Sequence, residues 1–374
     1  MKKVLLFLLA AWFVPIQILA QADPSFYGFP DSHLPWFSIH TEHFTIHYQE
    51  GNQRSARVIA TVAEDVYEPI TSLYDHKPDT KTAIVLKDRE DYSNGAAYFF
   101  DNKIDIWVPA LDTPLRGSHH WLRNVIAHEF THIVQIQAAM KRKRTVPALY
   151  LQWLAYETVR RPDVLYGFPN GIATYPLASV SVPAWLAEGT AQYQREGLHY
   201  DSWDAHRDMI LRTRVLNGTV MSLDEMGTFA GKNSLERETV YNHGYAFSIW
   251  LSNTYGENVL AAVSRALAEK RVFDIRVALE KATGVPGDTL HKRWVKALEA
   301  QYQPFRTTPF TPTSLIEPDG FFNFQPRISP DGRFLAYMSN RTRDYSRQSL
   351  YIRDLSTGKL VTSVELQQAA NASS

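Results

Sequence analysis

The feature that most constrains this chain is an apolar run over residues 121–136 holding two histidines four residues apart, His128-Glu129-Phe130-Thr131-His132. Trp121, Leu122, Val125, Ile126, Phe130, Ile133 and Val134 recur at three- and four-residue steps, the stripe of a core-packed helix. No proline interrupts the run before Pro147. On such a helix His128 and His132 project from one face and can chelate one metal ion, with Glu129 beside them in reach of a water at that ion. The bland alternative, in a chain with 13 histidines, is a pair of satisfied core residues. A third ligand downstream would decide between the two.

Pro183-Ala184-Trp185-Leu186-Ala187-Glu188-Gly189-Thr190-Ala191-Gln192-Tyr193 reads as a second helix opened by proline. Glu188 has the small neighbours Gly189 and Ala191, which let two helices approach closely and bring its carboxylate to a metal held by the first. His128, His132 and Glu188 would form a His₂Glu set with a fourth position open, the arrangement of catalytic zinc. The chain has no cysteine, which excludes disulfides, thiolate ligands and a cysteine nucleophile and leaves histidines and carboxylates as the strong zinc ligands.

These two motifs in this order resemble the gluzincin clan of zinc metallopeptidases, in particular the W-L-x-E-G-x-A pattern shared by the M1 aminopeptidase family and the peptidase-MA-like proteins. A metzincin would need glycine and histidine where Gln135 and Ala138 stand. The resemblance implies an α+β zincin-type catalytic domain, a mixed sheet plus active-site helix followed by an α-helical lobe. It implies Zn²⁺ on His128, His132 and Glu188, with Glu129 as general base and a peptide or protein as substrate. The segment 239–247 is similar to the Y-x-K-G segment of the same group, which makes Tyr241 the donor to the oxyanion; Asn242-His243-Gly244 departs from it by lacking the lysine. A buried core tyrosine is the alternative. Residues 93–98, Ser-Asn-Gly-Ala-Ala-Tyr, stand nearest to the G-x-M-E-N segment but lack the glutamate that would hold a free amine. This favours an endopeptidase over an aminopeptidase. The competing reading is an exported scaffold or binding protein with structural zinc.

Around this centre the chain divides into several parts. Met1-Lys2-Lys3, an apolar stretch to Val14 and Ala20-Gln21-Ala22 form a signal peptide over 1–22, implying export to a bacterial periplasm. Lys+Arg and Asp+Glu balance at 39 each, so bulk charge suggests no nucleic-acid partner. Residues 23–305 read as the catalytic domain, with an N-terminal α/β lobe to about 140, an insertion over 135–182 and a helical lobe over 183–305. Within it, 37–48 suggests one or two strands whose His40, His43 and His47 are solvated; 54–74 a helix; 82–87 a strand. The run 104–108 reads as a sheet edge, either ordinary or one on which an extended peptide lies. Lys141-Arg142-Lys143-Arg144 suits a solvated helix end, or, within 141–180 and with Arg160 and Arg161, a membrane-surface patch. Helices follow over 259–267, over 275–282 ended by Gly284, and over 289–300 with Asp288 as N-cap. Residues 306–322 form a linker. Beyond it, S-P-D-G-x-x-L-A-Y and L-Y-x-x-D-x-x-T-G-K resemble the repeat of TolB-type β-propellers, so 323–374 reads as a partial blade that could recruit a protein partner, poorly ordered on its own.

Overall fold

The computed structural model describes residues 34–88, 92–110, 120–153, 171–193, 200–307, 313–320, 322–341 and 348–365. The signal sequence read over 1–22 lies outside them, as do Arg160 and Arg161 of the insertion. The described chain is mixed α/β. Strands β1 (Trp36–His40), β2 (Phe44–Gln49), β3 (Thr82–Lys87), β4 (Asn94–Tyr98) and β5 (Lys103–Trp107) form one sheet in the order β1-β2-β3-β5-β4. The three inner strands run parallel and the two outer ones antiparallel, so the sheet is mixed. Strand alternation sends Phe44, Ile46, Ile84, Leu86, Ile104 and Ile106 into one core. Helix α1 (Gln53–Tyr74) covers them with Ile59, Ala63, Val66 and Ile70, and helix α2 (Trp121–Ala138) adds Phe130 and Ile133.

Residues 104–108 are not the edge of this sheet. β5 is an inner strand, and its polar member Asp105 is buried, with Lys87 Nζ at 3.0 Å and Lys103 Nζ at 3.2 Å from its carboxylate oxygens. The alternation is genuine, but the polar position is held by ion pairing and not by water. The edge is β4, whose Asn-Gly-Ala-Ala stretch lacks the β-branched and aromatic residues that mark strands. His40, His43 and His47 turn to separate partners: His47 Nδ1 lies 2.9 Å from Ser38 Oγ, His40 Nδ1 3.3 Å from Thr45 Oγ1, and His43 Nδ1 2.7 Å from Glu64.

Helix α2 is buried continuously from Val125 to Gln137, more than a one-sided stripe would require. Its polar residues inside this stretch are therefore used as ties. Gln135 Nε2 donates to Ser264 Oγ at 3.0 Å, and Gln137 Nε2 donates to the Phe99 carbonyl at 2.9 Å, just beyond β4.

The helical lobe comprises α3 (Ala184–Gln192), α4 (Ala205–Leu216), α5 (Leu223–Met226), α6 (Ser234–Tyr255), α7 (Val259–Ala268), α8 (Ile275–Thr283) and α9 (Gly287–Thr307). Asn233 and Glu236 close a capping box at the start of α6. Gly284 ends α8 with φ of 74°. Asp288 is not an N-cap; it lies in the first turn of α9 and accepts from Arg276 Nε at 2.8 Å.

Gly189 does permit a close helix crossing, but with α6 and not with α2. A Cβ on Gly189 would stand 2.3 Å from the backbone of Gly244, and one on Gly244 would stand 2.4 Å from the Trp185 carbonyl oxygen. The two glycines press α3 and α6 backbone to backbone, one residue from Glu188 and three from Tyr241.

After α2 the insertion forms a two-stranded ribbon, β6 (Ala148–Trp153) against β7 (Gly171–Pro176). Of the four basic residues before it, Lys141 donates to the carbonyls of Leu267 and Val272 around the end of α7, and Arg144 pairs with Asp79. Only Arg142 and Lys143 face solvent.

Helix α9 continues to Thr307, past 305. Strands β8 (Asn323–Ile328), β9 (Phe334–Ser339), β10 (Ser349–Asp354) and β11 (Leu360–Glu365) make an antiparallel meander of four strands. Its small core is Leu335, Tyr337 and Tyr351. Glu317, from the stretch read as linker, is buried and accepts hydrogen bonds from Tyr337 Oη, Arg341 Nη1 and Arg353 Nη2, so it belongs with this sheet. The described residues beyond 313 form this one sheet and no closed propeller. No helix among them is long and apolar enough to cross a membrane.

Because each glycine faces backbone and not a side chain that could turn aside, Gly244→Ala should lower the unfolding free energy by about 1–3 kcal/mol or more, the cost of overpacking a close-packed contact. Denaturant titration measures it; an unchanged midpoint would show that the crossing can relax.

Candidate metal centre

Three side chains from two helices converge beneath β4. His128 and His132 leave α2 one turn apart, and Glu188 comes from the middle of α3. His128 Nε2 lies 3.1 Å from His132 Nε2 and 3.1 Å from Glu188 Oε2, and His132 Nε2 lies 3.3 Å from the same oxygen. Donors at ~2.0–2.2 Å from one tetrahedral ion stand ~3.3 Å apart, so this spacing fits one ion shared by all three. They are the group among the described residues that could hold a metal.

The electrostatics point the same way. Burial would push the His132 imidazole down, but the Glu188 carboxylate against it, with Glu129 nearby, raises its pKa above the ordinary value. Burial would raise the Glu188 carboxyl, yet the two imidazoles hold it well below the carboxylate range. The protein alone thus favours a positive charge between these groups, which a metal ion can supply in place of a proton. His132 Nδ1, the ring nitrogen on the other side, is buried with no hydrogen-bond partner among the described residues, where an acceptor commonly orients a ligand histidine.

Glu129 follows His128 on α2 and lines a cleft of about 350 Å³ together with the three ligand residues and Tyr241. The cleft follows one face of α2 from Trp121 to Ile136, with β4 along its length. Tyr241, half-buried on α6, is roughly parallel to the His128 ring at 6.3 Å between centroids and to the Phe229 ring at 5.7 Å. All five residues singled out in the sequence therefore meet at one cleft. Sequence reasoning missed Phe229, which supports Tyr241 from a loop that no motif marks. It also missed the register that brings Asn94–Tyr98 beside Glu129; the Gly-Ala-Ala run between a strand and the metal helix was the available signal.

His243, two residues after Tyr241, does not line this cleft. It is fully buried, and Trp294 packs edge-on at 6.1 Å between ring centroids. Burial, with a smaller contribution from Arg214, pushes its pKa down to about 3.

No family model matches this chain, and no curated protein matches it in sequence.

Two measurements follow. Titration with Zn²⁺ should find one equivalent bound and a raised melting temperature that a chelator reverses; His132→Ala and Glu188→Ala should each weaken binding by at least about 10²-fold, beyond the loss typical of a residue that only orients a ligand. Separately, His243 stays neutral when folded but binds a proton when unfolded below the ordinary histidine pKa of about 6.5. Stability should therefore fall as pH drops from ~6.5 toward 3, with His243 contributing up to roughly 1.4 kcal/mol per pH unit. His243→Leu should flatten that slope, and an unchanged slope would assign it to other groups.

Proposed function

We propose that this chain is an exported zinc metallopeptidase of gluzincin type that cleaves peptide bonds within a chain. The observation that supports it most is the joint presence in one cleft of three converging side chains that could hold a metal, a carboxylate that is not among them and a tyrosine. Held by His128, His132 and Glu188, Zn²⁺ would supply a Lewis acid with an open coordination position. Glu129 takes a proton from the attacking water and returns it to the leaving nitrogen. Tyr241 donates its phenolic hydrogen to the oxygen that gains charge at the tetrahedral carbon. β4, an outer strand of the sheet among the described residues, offers its edge to an extended peptide, which joins the sheet as an added strand and carries its scissile bond past Glu129.

Two further features support this reading over its competitors. A structural zinc site would be closed by a fourth protein ligand, and none joins the three among the described residues. Among the residues lining the cleft, the carboxylates are Glu129 and Glu188, both already assigned, so none remains to hold a substrate's free amine. This supports cleavage inside a chain. Export rests on the signal-like residues 1–22.

The test is hydrolysis of a quenched, end-blocked peptide library by the zinc-loaded protein. Glu129→Gln should keep one zinc and lose about 10²–10⁴-fold in kcat. Tyr241→Phe should lose about 10²–10³-fold with KM little changed. Parent-like turnover by Glu129→Gln at equal zinc content would remove Glu129 as the base.

A further inference from the structure

The edge strand and the general base are in contact at one residue. A Cβ built on Gly95 would stand 2.5 Å from Glu129 Oε1, 2.7 Å from Glu129 Cγ and 2.6 Å from Val125 Cγ2. Gly95 is not among the residues with positive φ, so backbone conformation does not demand a glycine here. What demands it is space. We infer that Gly95 is a positioning residue for the proposed hydrolysis: its missing side chain lets the Glu129 carboxylate lie against β4, where an extended substrate would pass.

The surroundings determine what would move if that space were filled. Val125 is buried in the core and β-branched, so it has a single stiff side-chain torsion. Strand β4 is registered on β5 through Gly95 opposite Ile106, and Ile106 is fully buried. Glu129 alone has several side-chain torsions and a cleft to swing into. A methyl group at residue 95 therefore displaces the carboxylate. The three nearest atoms belong to Glu129 and Val125, none of them to His128, His132 or Glu188.

This inference rests on Glu129 acting as the base, and the experiment separates the two. The full chain carrying Gly95→Ala is compared with the parent for zinc affinity, kinetics on the end-blocked peptides and the crystal structure of the metal-free protein. Zinc affinity should stay within about threefold. A misplacement on the order of 1 Å should cost about 10²-fold in kcat with KM near the parent's. The crystal structure should show the Glu129 carboxylate displaced. Adding Val125→Ala opens room for the new methyl on the other side, and the double variant should recover at least about tenfold of the lost kcat, relative to Val125→Ala alone.

A kcat within threefold of the parent, a loss confined to KM, or no recovery in the double variant would overturn the inference. So would a Gly95→Ala chain that fails to fold, since the strain would then have fallen on the strand. If the parent itself cleaves nothing, the hydrolase reading fails. The Glu129 displacement in the metal-free crystal still decides whether Gly95 sets the position of that side chain.

Discussion

Three electron-pair donors are held within 3.1–3.3 Å of one another inside a protein core, and the rest of the molecule is arranged so that this is tolerable. Two imidazoles and a carboxylate removed from water lose hydration that only a cation among them can replace, whether a proton or a metal ion. The raised pKa of His132 and the lowered pKa of Glu188 express that demand. A loose site would relieve it by swinging a side chain to solvent. Here the donors stand on helices whose backbones are pinned from several sides, which holds the three side chains near one another.

The pinning is done by different chemistry at each contact. Helix α2 is tied by side-chain amides, through Gln135 to α7 and Gln137 to the chain after β4, because its buried polar groups need partners. Helix α3 is placed by the absence of side chains, with Gly189 and Gly244 bringing its backbone onto α6. That crossing lies next to Glu188 and one turn from Tyr241, so one contact sets both the third ligand and the proposed oxyanion donor. Phe229 then holds the Tyr241 ring from its far side. Ligands, base and donor depend on three elements far apart in sequence, and each element meets the next through close packing.

How much of this could be read beforehand varied with the range of the interaction involved. The ligand pair on α2, the helix of Glu188 and Gly284 as the end of α8 are local, since helical spacing and cap chemistry act within a few residues. The readings that failed concern contacts between distant segments. Residues 104–108 alternate as an edge strand would, but Asp105 faces two lysines instead of water. Gly189 signalled a close approach without naming its partner, which proved to be α6. Two cations of the basic run 141–144 turn inward to Asp79 and to the carbonyls near α7, which charge pattern alone could not indicate. Glu317 sits in a stretch that reads as a polar, proline-rich linker, and only the positions of Arg341 and Arg353 tie it to the blade-like sheet.

The sequence by itself determined which groups this protein could offer: two histidines and a glutamate on one helix, a second glutamate on another, a tyrosine after it, and no thiol. Spacing within a helix is a property of the covalent chain, so those pairings were decided before folding. Tertiary structure decided that the groups meet. It set the 3.1–3.3 Å triangle, turned β4 and not β5 to the sheet edge, and pressed Gly95 against Glu129. Such distances arise from the packing of whole elements, where the size of one side chain, or its absence, fixes how near two backbones can come.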